Sequence, residues 1–309
     1  QLQDLAALQN ANLIVWPETS HTQAWEELSE EFPAHEQASA LVKANEKTLS
    51  DARYCRTNVL FGLSSFVYEP SKSERRYNSA VLVDTTGRYL ERYDKIHRVP
   101  FGEYLPFVDS LPWMKAFSPY GGTDYTILPG ERFTRFPLGD FRFGVVICFE
   151  DSDPELARQY VGGDGDPNVD FLLNISNDGW FKGTSEHEEH LAISRFRAVE
   201  CRRSLARAVN MGVSAIIDGN GRILAPERTI EYASGYTWDV PGGSDLPVSR
   251  WGEFKKVQGV LTGVIPIDHR TSWYARWGDW LPWTCWLLVA AFLVFGWMRA
   301  SRRIEAASP

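Results

Sequence analysis

The sequence predicts an α/β sandwich with one membrane-spanning helix at its C-terminal end. Two observations lead to this prediction. Short apolar segments alternate with helical ones over most of the 309 residues, and a long segment without charged residues follows near the end. A chain of this length can bury one large core, or a core with a small appendage. Its apolar (44%) and charged (23%) fractions are near the globular average, so we expect most of the chain to fold as a soluble domain.

Composition also bounds the function. The formal net charge is −8, and no basic run or RNA-binding motif is present, so nucleic acid is not an expected partner. The four cysteines have no metal-type spacing and form no CxxC pair, so no metal site is expected. Cys55 and Cys201 could form a disulfide, but we favour buried free thiols.

Strand and helix patterns alternate along the chain without repeats or a low-complexity linker. Tight turns at residues 84–87 and 218–221 predict two hairpins. Strands are predicted over residues 13–16, 59–68, 77–83, 141–147, 171–175, 213–217 and 222–224. Helices are predicted over residues 36–51, from residue 154 after the capping residue Asp153, and over about 186–209. This alternation predicts one α/β sandwich.

The N-terminal residues indicate that the chain is part of something longer. Residues 1–10 have the pattern of the end of an amphipathic helix that leads directly into a strand. There is no starting Met and no signal peptide. We therefore expect a fragment of a longer protein.

The C-terminal segment has the composition of a membrane span. Residues 280–298 contain no charged side chain. The length of this segment is close to the ~20 residues needed to cross a bilayer. Trp280, Trp283 and Trp286 at one end and Trp297 at the other suit the two membrane–water interfaces. The alternative is a buried core helix of a soluble protein. We favour a transmembrane helix over residues 280–298.

Arginines follow this helix directly. Arg299, Arg302 and Arg303 lie in a short basic tail, residues 299–309. Positive charge is enriched on the cytoplasmic side of membrane proteins. We therefore expect a cytoplasmic C-terminus and a main domain, residues 1–270, outside the cytoplasm.

Three reactive side chains, Glu18, Lys95 and Cys148, each lie at or just beyond the end of a predicted strand. A thiol attacks as the thiolate and needs a base, and an oxyanion needs a positive group beside it. Taken singly, Cys148 could be a buried apolar residue, and Glu18 and Lys95 could be solvated. Together, a carboxylate, an ammonium and a thiol can make and break an acyl-thioester. Their joint occurrence predicts a cysteine acyl-transfer enzyme.

The sequence around these residues resembles a known superfamily. Trp16-Pro17-Glu18, Lys95 and Cys148-Phe149-Glu150 resemble the Glu–Lys–Cys triad of the nitrilase, or carbon–nitrogen hydrolase, superfamily. Longer segments resemble the apolipoprotein N-acyltransferases within it, and these are residues 93–106, 174–181 and 197–212.

The resemblance implies a fold. Residues 1–270 would form a nitrilase-like α-β-β-α four-layer sandwich, followed by the transmembrane helix. Members of this family also begin with a bundle of transmembrane helices and a first strand of the sandwich. Neither is found before Gln1. We expect that activity could depend on those parts.

The resemblance also implies a reaction that needs no cofactor. Cys148 would take a fatty acyl chain from a phospholipid as a thioester. The acyl chain would then pass to the N-terminal amine of diacylglyceryl-cysteine in an apolipoprotein. Glu18 would be the general base, and Lys95 would stabilise the oxyanion and the thiolate.

Supporting residues and location follow from the same resemblance. Glu103 matches a further active-site glutamate, and Glu150 a polar residue just past the nucleophile. From the residues alone, the segment 177–181 is either a second wall of the substrate pocket that includes Trp180 or a strand-to-helix turn with Trp180 packed in the core. The expected location is the bacterial inner membrane, with the catalytic domain on the periplasmic side. We expect the protein to act as a monomer.

Two other functions remain open. A carbon–nitrogen hydrolase, an amidase or nitrilase, would use the same triad with water as acceptor. An inactive membrane-tethered fragment is the other alternative. The apolar segment 107–117 is expected to be a lid that dips into lipid, with a core-packed insertion as the alternative. The arginines of the helix predicted over 186–209 are expected on a solvated face, and His190 in a structural hydrogen bond.

Overall fold

Two β-sheets lie face to face at the centre of the protein. A computed structural model describes residues 2–71, 73–108, 110–117, 126–162, 168–181, 184–232, 237–238, 242–255 and 257–306. The first sheet consists of β1 (Leu13–Val15), β2 (Trp25–Leu28), β3 (Asn58–Tyr68), β4 (Glu74–Val83) and β5 (Tyr89–Asp94). The central strand, β3, pairs parallel with β1 along its first half and with β2 along its second half. β3 pairs antiparallel with β4, and β4 pairs antiparallel with β5.

The second sheet has six strands in the order β11-β10-β9-β8-β7-β6. These are β6 (Phe136–Leu138), β7 (Phe141–Ile147), β8 (Phe171–Asn177), β9 (Ser204–Asn210), β10 (Ala215–Ile217) and β11 (Ile223–Leu224). β7, β8 and β9 run parallel, and the outer pairings are antiparallel. The carboxyl ends of β7 and β8 therefore meet at one edge of the sheet. A small third sheet follows, made of β12 (Arg228–Glu231), β13 (Thr237–Trp238) and β14 (Gly259–Thr262).

Helices cover the outer face of each large sheet. On the first sheet lie α1 (Leu2–Ala7), α2 (Ala34–Ala44) and α3 (Glu46–Cys55), and on the second α4 (Pro154–Gly162) and α5 (Glu186–Cys201). The order of layers is α-β-β-α, so the four-layer sandwich predicted from the sequence is confirmed. Cys55 and Cys201 each lie in a helix–sheet core as buried free thiols, as predicted.

Both faces of each sheet are buried, which explains the apolar runs in the sequence. Successive side chains in a strand point to opposite faces. In β3, Leu60 packs between the sheets while Phe61 packs against the helices. Between the sheets, the ring of Phe143 stacks on Phe136 at 5.1 Å and on Phe171 at 5.3 Å between centroids.

The helix predicted over residues 36–51 is two helices, α2 and α3, separated at Asn45. The buried Asn45 side chain pairs with the backbone of Glu26 in β2. Its Oδ1 accepts the Glu26 N–H at 2.9 Å, and its Nδ2 donates to the Glu26 carbonyl at 2.7 Å. The Asn45 side chain is bound to β2, and the helix breaks at this residue.

The helix predicted over residues 186–209 is also wrong in its second half. α5 ends at Cys201, and Arg202 takes a left-handed conformation with φ of +51°. The chain then continues as β9, at the centre of the second sheet. The alternation Ser-Leu-Ala-Arg-Ala-Val after residue 203 fits a strand as well as a helix. Pairing with the neighbouring strands of the sheet selects the strand.

The expected solvated face of arginines is wrong for three of them. Arg197, Arg203 and Arg207 are buried, because α5 packs on the sheet and β9 lies inside it. Arg203 donates to backbone carbonyls, including those of Val169 at 2.6 Å and Arg270 at 2.8 Å. These guanidinium groups therefore connect elements inside the fold.

The C-terminal segment is helical and exposed. α6 (Trp273–Trp277) packs on α4 and α5, and α7 (Trp280–Ala306) follows. Within the described ranges one helix is long and apolar enough to cross a membrane, Trp280–Ala300, and none of it is buried against the rest of the chain. The alternative of a buried core helix is therefore wrong. The exposure is consistent with a single transmembrane helix.

Candidate active site

The three reactive residues predicted from the sequence lie together at one edge of the two sheets. Glu18 lies in the loop after β1, Lys95 directly follows β5, and Cys148 directly follows β7. The Lys95 Nζ lies 3.5 Å from Glu18 Oε1, and Cys148 is close enough to both for each to shift its pKa. Strand ends from both sheets therefore form one site.

Glu18 is buried and held by three groups. Its Oε1 accepts hydrogen bonds from Asn78 Nδ2 at 2.6 Å and from Lys95, and its Oε2 accepts the backbone N–H of Asn177 at 2.8 Å. The loop that carries Glu18 passes very close to Gly62 in β3. A Cβ at residue 62 would lie 2.1 Å from the Pro17 carbonyl oxygen, so this approach requires glycine.

Lys95 is almost fully buried between two carboxylates. Its Nζ donates to Glu103 Oε1 at 2.8 Å and to Glu18 Oε1 at 3.5 Å. Burial by itself would lower the pKa of Lys95, but the negative charges of Glu18 and Glu103, joined by Cys148 when that thiol is ionised, outweigh it and raise the pKa above its usual value. Lys95 is therefore an ammonium at physiological pH.

Glu103 lies beside Lys95, where a carboxylate was expected. Its Oε1 accepts from Lys95 and from Asn78 Nδ2, the latter at 3.3 Å, and its Oε2 accepts the backbone N–H of Val99 at 2.7 Å. The Glu103 side chain thus bridges the ammonium and its own loop, and it fixes the position of the charge.

Cys148 occupies a sharp turn at the end of β7. Its φ of +52° is in the left-handed region, which is uncommon for a residue with a side chain and frequent at functional sites. Burial and the charge of Glu18 raise the pKa of the thiol to about 12, against the opposing effect of Lys95. At neutral pH the group is therefore a thiol, and forming the thiolate would require a base.

Glu150 is fully buried, and its carboxylate accepts hydrogen bonds from backbone N–H groups. Its carboxylate accepts N–H groups from Ile96 at 2.6 Å, from His97 at 3.0 Å and from Ile147 at 2.7 Å, and the Tyr93 hydroxyl at 2.9 Å. Burial raises the pKa of Glu150 to about 7, while the backbone donors favour the ionised form. Glu150 therefore ties the Cys148 and Lys95 segments together, and the structure places it away from any exposed surface.

Trp180 lies in a 3₁₀ turn, Asp178–Phe181, that directly follows β8. Its side chain is 70% exposed, so the alternative in which it packs in the core is not what the structure shows. Asn177, the last residue of β8 and the one directly before this turn, donates its backbone N–H to Glu18. This segment therefore borders the site, and Trp180 is available to contact a ligand.

Asn78 was missed by the sequence analysis. It lies in β4, and its Nδ2 donates to both Glu18 and Glu103 while its carbonyl accepts the backbone N–H of Lys95 at 2.8 Å. One residue thus contacts the carboxylates of Glu18 and Glu103 and the backbone of Lys95. The available signal was an amide side chain within an apolar strand, where asparagine is disfavoured.

Large apolar side chains are exposed on the segments that carry the site residues. Phe149 directly follows Cys148, and Phe101 lies between Lys95 and Glu103. In the described part of segment 107–117 no side chain is buried, so the core-packed alternative for this segment is wrong. The exposed large apolar residues of these segments are Phe101, Phe107, Leu111, Trp113, Phe149 and Trp180. Exposed apolar side chains on segments that flank a site are what a surface that contacts a partner, lipid or ligand would present.

The sandwich fold and the site define the class of protein. The chain belongs to the carbon–nitrogen hydrolase family, whose sequence model matches residues 1–232. A solved carbon–nitrogen hydrolase from Helicobacter pylori G27 has the same fold, with a TM-score of 0.50 and 15% identity over 82% of this chain and 84% of that one.

Within that family, the chain is similar to apolipoprotein N-acyltransferases. It is 32% identical to the one from Geobacter metallireducens over 276 residues, which is 89% of this chain and 44% of the relative. It is 30% identical to the one from Methylococcus capsulatus over 260 residues, which is 84% of this chain and 46% of the relative. The chain therefore spans less than half the length of these relatives.

Proposed function

We propose that this chain is the catalytic part of an apolipoprotein N-acyltransferase. It would move a fatty acyl chain from a phospholipid, through a thioester on Cys148, to the N-terminal amine of diacylglyceryl-cysteine in an apolipoprotein. The observation that carries the proposal is the placement of a carboxylate, an ammonium and a thiol at one sheet edge. Its sequence similarity to proteins of that name supports the choice of substrates.

In the first step Glu18 acts as the general base. It takes the thiol proton as Cys148 Sγ attacks the ester carbonyl carbon of the phospholipid. The new carbon–sulfur bond forms, and the carbon–oxygen bond to the glycerol breaks. Glu18 then gives the proton to the departing alkoxide, which leaves as a lysophospholipid, and the carboxylate is ready for the second step.

In the second step the acceptor amine attacks the thioester carbon. Glu18 takes a proton from the nitrogen as the carbon–nitrogen bond forms, and the proton passes to the departing Cys148 thiolate. Lys95 stabilises the oxyanion in both steps, a role in which one donor contributes roughly 3–4 kcal/mol. Two of its three N–H groups are used by Glu103 and Glu18, which leaves one for the oxyanion.

The exposed apolar surface supports a lipid substrate. Phe149 and Trp180 lie next to residues of the site, and α7 is apolar enough to span a bilayer. We place the protein, as a monomer, in the bacterial inner membrane with the sandwich on the periplasmic side. The arginines after the span support this orientation. The apolar surroundings would also keep water from the thioester.

The test compares an amine acceptor with water. The detergent-solubilised chain is incubated with phosphatidylethanolamine and a diacylated lipopeptide that has a free N-terminus, and the products are weighed by mass spectrometry. We expect a triacylated peptide from the parent chain and none from Cys148→Ser. Hydrolysis of small amides without lipid, and no peptide product, would favour the carbon–nitrogen hydrolase alternative. Neither product from a folded chain would favour the inactive fragment.

A further inference from the structure

A buried cluster of charged side chains lies beside Cys148 and has no role in the proposed chemistry. It contains Asp151, Asp178, His190 and Arg207, all buried. Arg207 Nη1 donates to Asp151 Oδ2 at 2.9 Å, and Arg207 Nη2 lies 3.4 Å from Asp178 Oδ2. Ser194, on α5, also donates its hydroxyl to Asp151 Oδ2. Among the described residues no His, Cys, Asp and Glu group has the arrangement of a metal site, so the carboxylates are held by protein donors.

The contacts of His190 fix its protonation. Its Nε2 lies 2.9 Å from Asp151 Oδ1, and its Nδ1 lies 3.0 Å from Asp178 Oδ1. An ionised carboxylate only accepts hydrogen bonds, so both ring nitrogens must donate and the ring is an imidazolium. Two carboxylates, one guanidinium and one imidazolium then sum to zero charge. A buried cluster without net charge avoids the large desolvation penalty of an unpaired ion.

The electrostatics of His190 agree with this assignment. Burial and the neighbouring Arg207 would lower the pKa of His190, but Asp151 and Asp178 outweigh them and raise it to about 9. Glu186, at the start of α5, is a further carboxylate beside the cluster; burial and Asp178 raise its pKa, and the charges of His190 and Arg207 oppose the rise. The imidazolium therefore persists at physiological pH.

Ser176 connects this cluster to Cys148. It is the penultimate residue of β8, and the register that pairs Ile147 with Ile175 places it beside Cys148. The Ser176 hydroxyl donates to Asp178 Oδ1 at 2.6 Å, and its proximity to Cys148 lowers the pKa of that thiol. Since a hydroxyl has one proton, it cannot donate to Asp178 and to sulfur at the same time.

We propose that Ser176 is a positioning residue for Cys148, whose hydroxyl reverses direction as the thiol ionises. In the resting state it donates to Asp178 and accepts the S–H of Cys148. When Glu18 removes the thiol proton, the hydroxyl turns and donates to the thiolate. Asp178 tolerates the loss because His190 and Arg207 still bond to it. This inference rests on the proposed function only in taking Cys148 as the nucleophile.

The surrounding charges define what Ser176 adds. Glu18 and Asp178 disfavour the thiolate of Cys148, and Lys95 favours it. Lys95 is already shared with Glu18 and Glu103. A hydroxyl that donates to sulfur only in the ionised state favours the thiolate without adding a charge to the site.

The test measures thiol reactivity without any lipid. The full chain in detergent is alkylated with iodoacetamide between about pH 6 and 10, and the rate at Cys148 is followed by peptide mass spectrometry. Removing the donor in Ser176→Ala should slow alkylation about tenfold at each pH, since a hydrogen bond to an ionised group is lost. Ser176→Thr keeps the hydroxyl and should stay within about threefold of the parent.

Ser194→Ala is the matched control. It removes a buried serine hydroxyl from the same cluster, one that donates to Asp151 and accepts from Arg207 Nη1. Asp151 keeps its bonds to His190 and Arg207, and Arg207 keeps its contact with Asp178. Its alkylation profile should equal that of the parent. Parent rates in Ser176→Ala, or equal slowing in Ser194→Ala, would overturn the proposal. If Ser176→Ala does not fold, Ser176→Thr still decides, because a loss of reactivity in that folded variant contradicts a role for the hydroxyl.

Alkylation separates this inference from the proposed function. A small electrophile reports on the thiol whether or not the chain transfers acyl groups. A shifted profile in Ser176→Ala without any acyl transfer would leave Ser176 in its role and remove the acyltransferase. Normal acyl transfer with an unshifted alkylation profile in Ser176→Ala would support the acyltransferase and overturn the role of Ser176.

Discussion

The carboxylate of Glu150 accepts the backbone N–H of Ile96 at 2.6 Å. Ile96 directly follows Lys95, and Glu150 lies two residues after Cys148, so this bond joins the end of β5 to the end of β7. These strands belong to different sheets. The spacing between the ammonium and the thiol is therefore set by a buried side chain that faces the backbone.

Glu150→Gln tests this connection. Both carboxylate oxygens of Glu150 accept backbone N–H groups. Glutamine would replace one of these oxygens by an NH₂ group, so a donor would face a donor. We expect the free energy of unfolding to fall by about 2–3 kcal/mol, and acyl-enzyme formation to fall with it. Urea denaturation measures the first effect. Glu155→Gln, at a partly exposed pair with Arg158, is the control and should change stability by less than about 1 kcal/mol. Equal effects in the two variants would contradict the role of Glu150.

Asn78 should respond differently to two substitutions. Asn78→Ala removes the donor that Glu18 and Glu103 share, whereas Asn78→Asp also adds a negative charge within hydrogen-bonding distance of both. We expect acyl-enzyme formation to fall by about tenfold in the first variant and further in the second, because like charges repel. Single-turnover acylation rates measure the order. An Asn78→Asp chain at least as active as Asn78→Ala would argue against this electrostatic role.

Gly62 should be intolerant of a methyl group. A Cβ there would lie 2.1 Å from the Pro17 carbonyl oxygen and 2.9 Å from Glu18 Cα, so the loop that carries Glu18 must move. A misplaced catalytic group can lower a rate about a hundredfold, which is the effect we expect on acylation by Gly62→Ala. Gly252→Ala is the control, since its Cβ would meet only Glu188 Oε1 at 3.9 Å. Full activity of Gly62→Ala would show that the close approach does not position Glu18.

Stability should depend on the protonation of His190. Folding raises the pKa of His190 from its ordinary 6.5 to about 9, although burial and Arg207 oppose the shift. A raised pKa contributes stability that is fully present below about pH 6.5 and is lost as pH rises through about 9. We expect the urea midpoint to fall across that range. His190→Gln should lose this part of the pH dependence, and an identical slope in both chains would rule out His190 as its source.

The ends of the strands were the most predictable part of the site. β7 was predicted with the bounds that the structure shows, because its apolar run ends at a cysteine. Lys95 and Glu18 were predicted as site residues from short segments in which a reactive residue follows a β-like run, and the structure places both beside strand ends. Each of these predictions depends on neighbours in sequence, which is why one sequence was enough.

Contacts between distant segments were not predictable in this way. Asn78 and Glu18 are 60 residues apart, and their hydrogen bond exists only because β4 lies near the loop after β1. Arg207 was assigned to a solvated helix because its periodicity continued from α5. The pairing of β9 with β8 decides that it is buried, and a charge pattern alone does not reveal which strand lies next to which.

The proposed function depends above all on a thioester between Cys148 and a fatty acyl chain. The most direct measurement is the intact mass of the detergent-solubilised chain after incubation with phosphatidylethanolamine, before and after hydroxylamine. We predict a mass increase of one fatty acyl group that hydroxylamine removes and that Cys148→Ser never shows. A folded parent chain that gains no such mass, or a Cys148→Ser chain that gains the same one, would contradict the account.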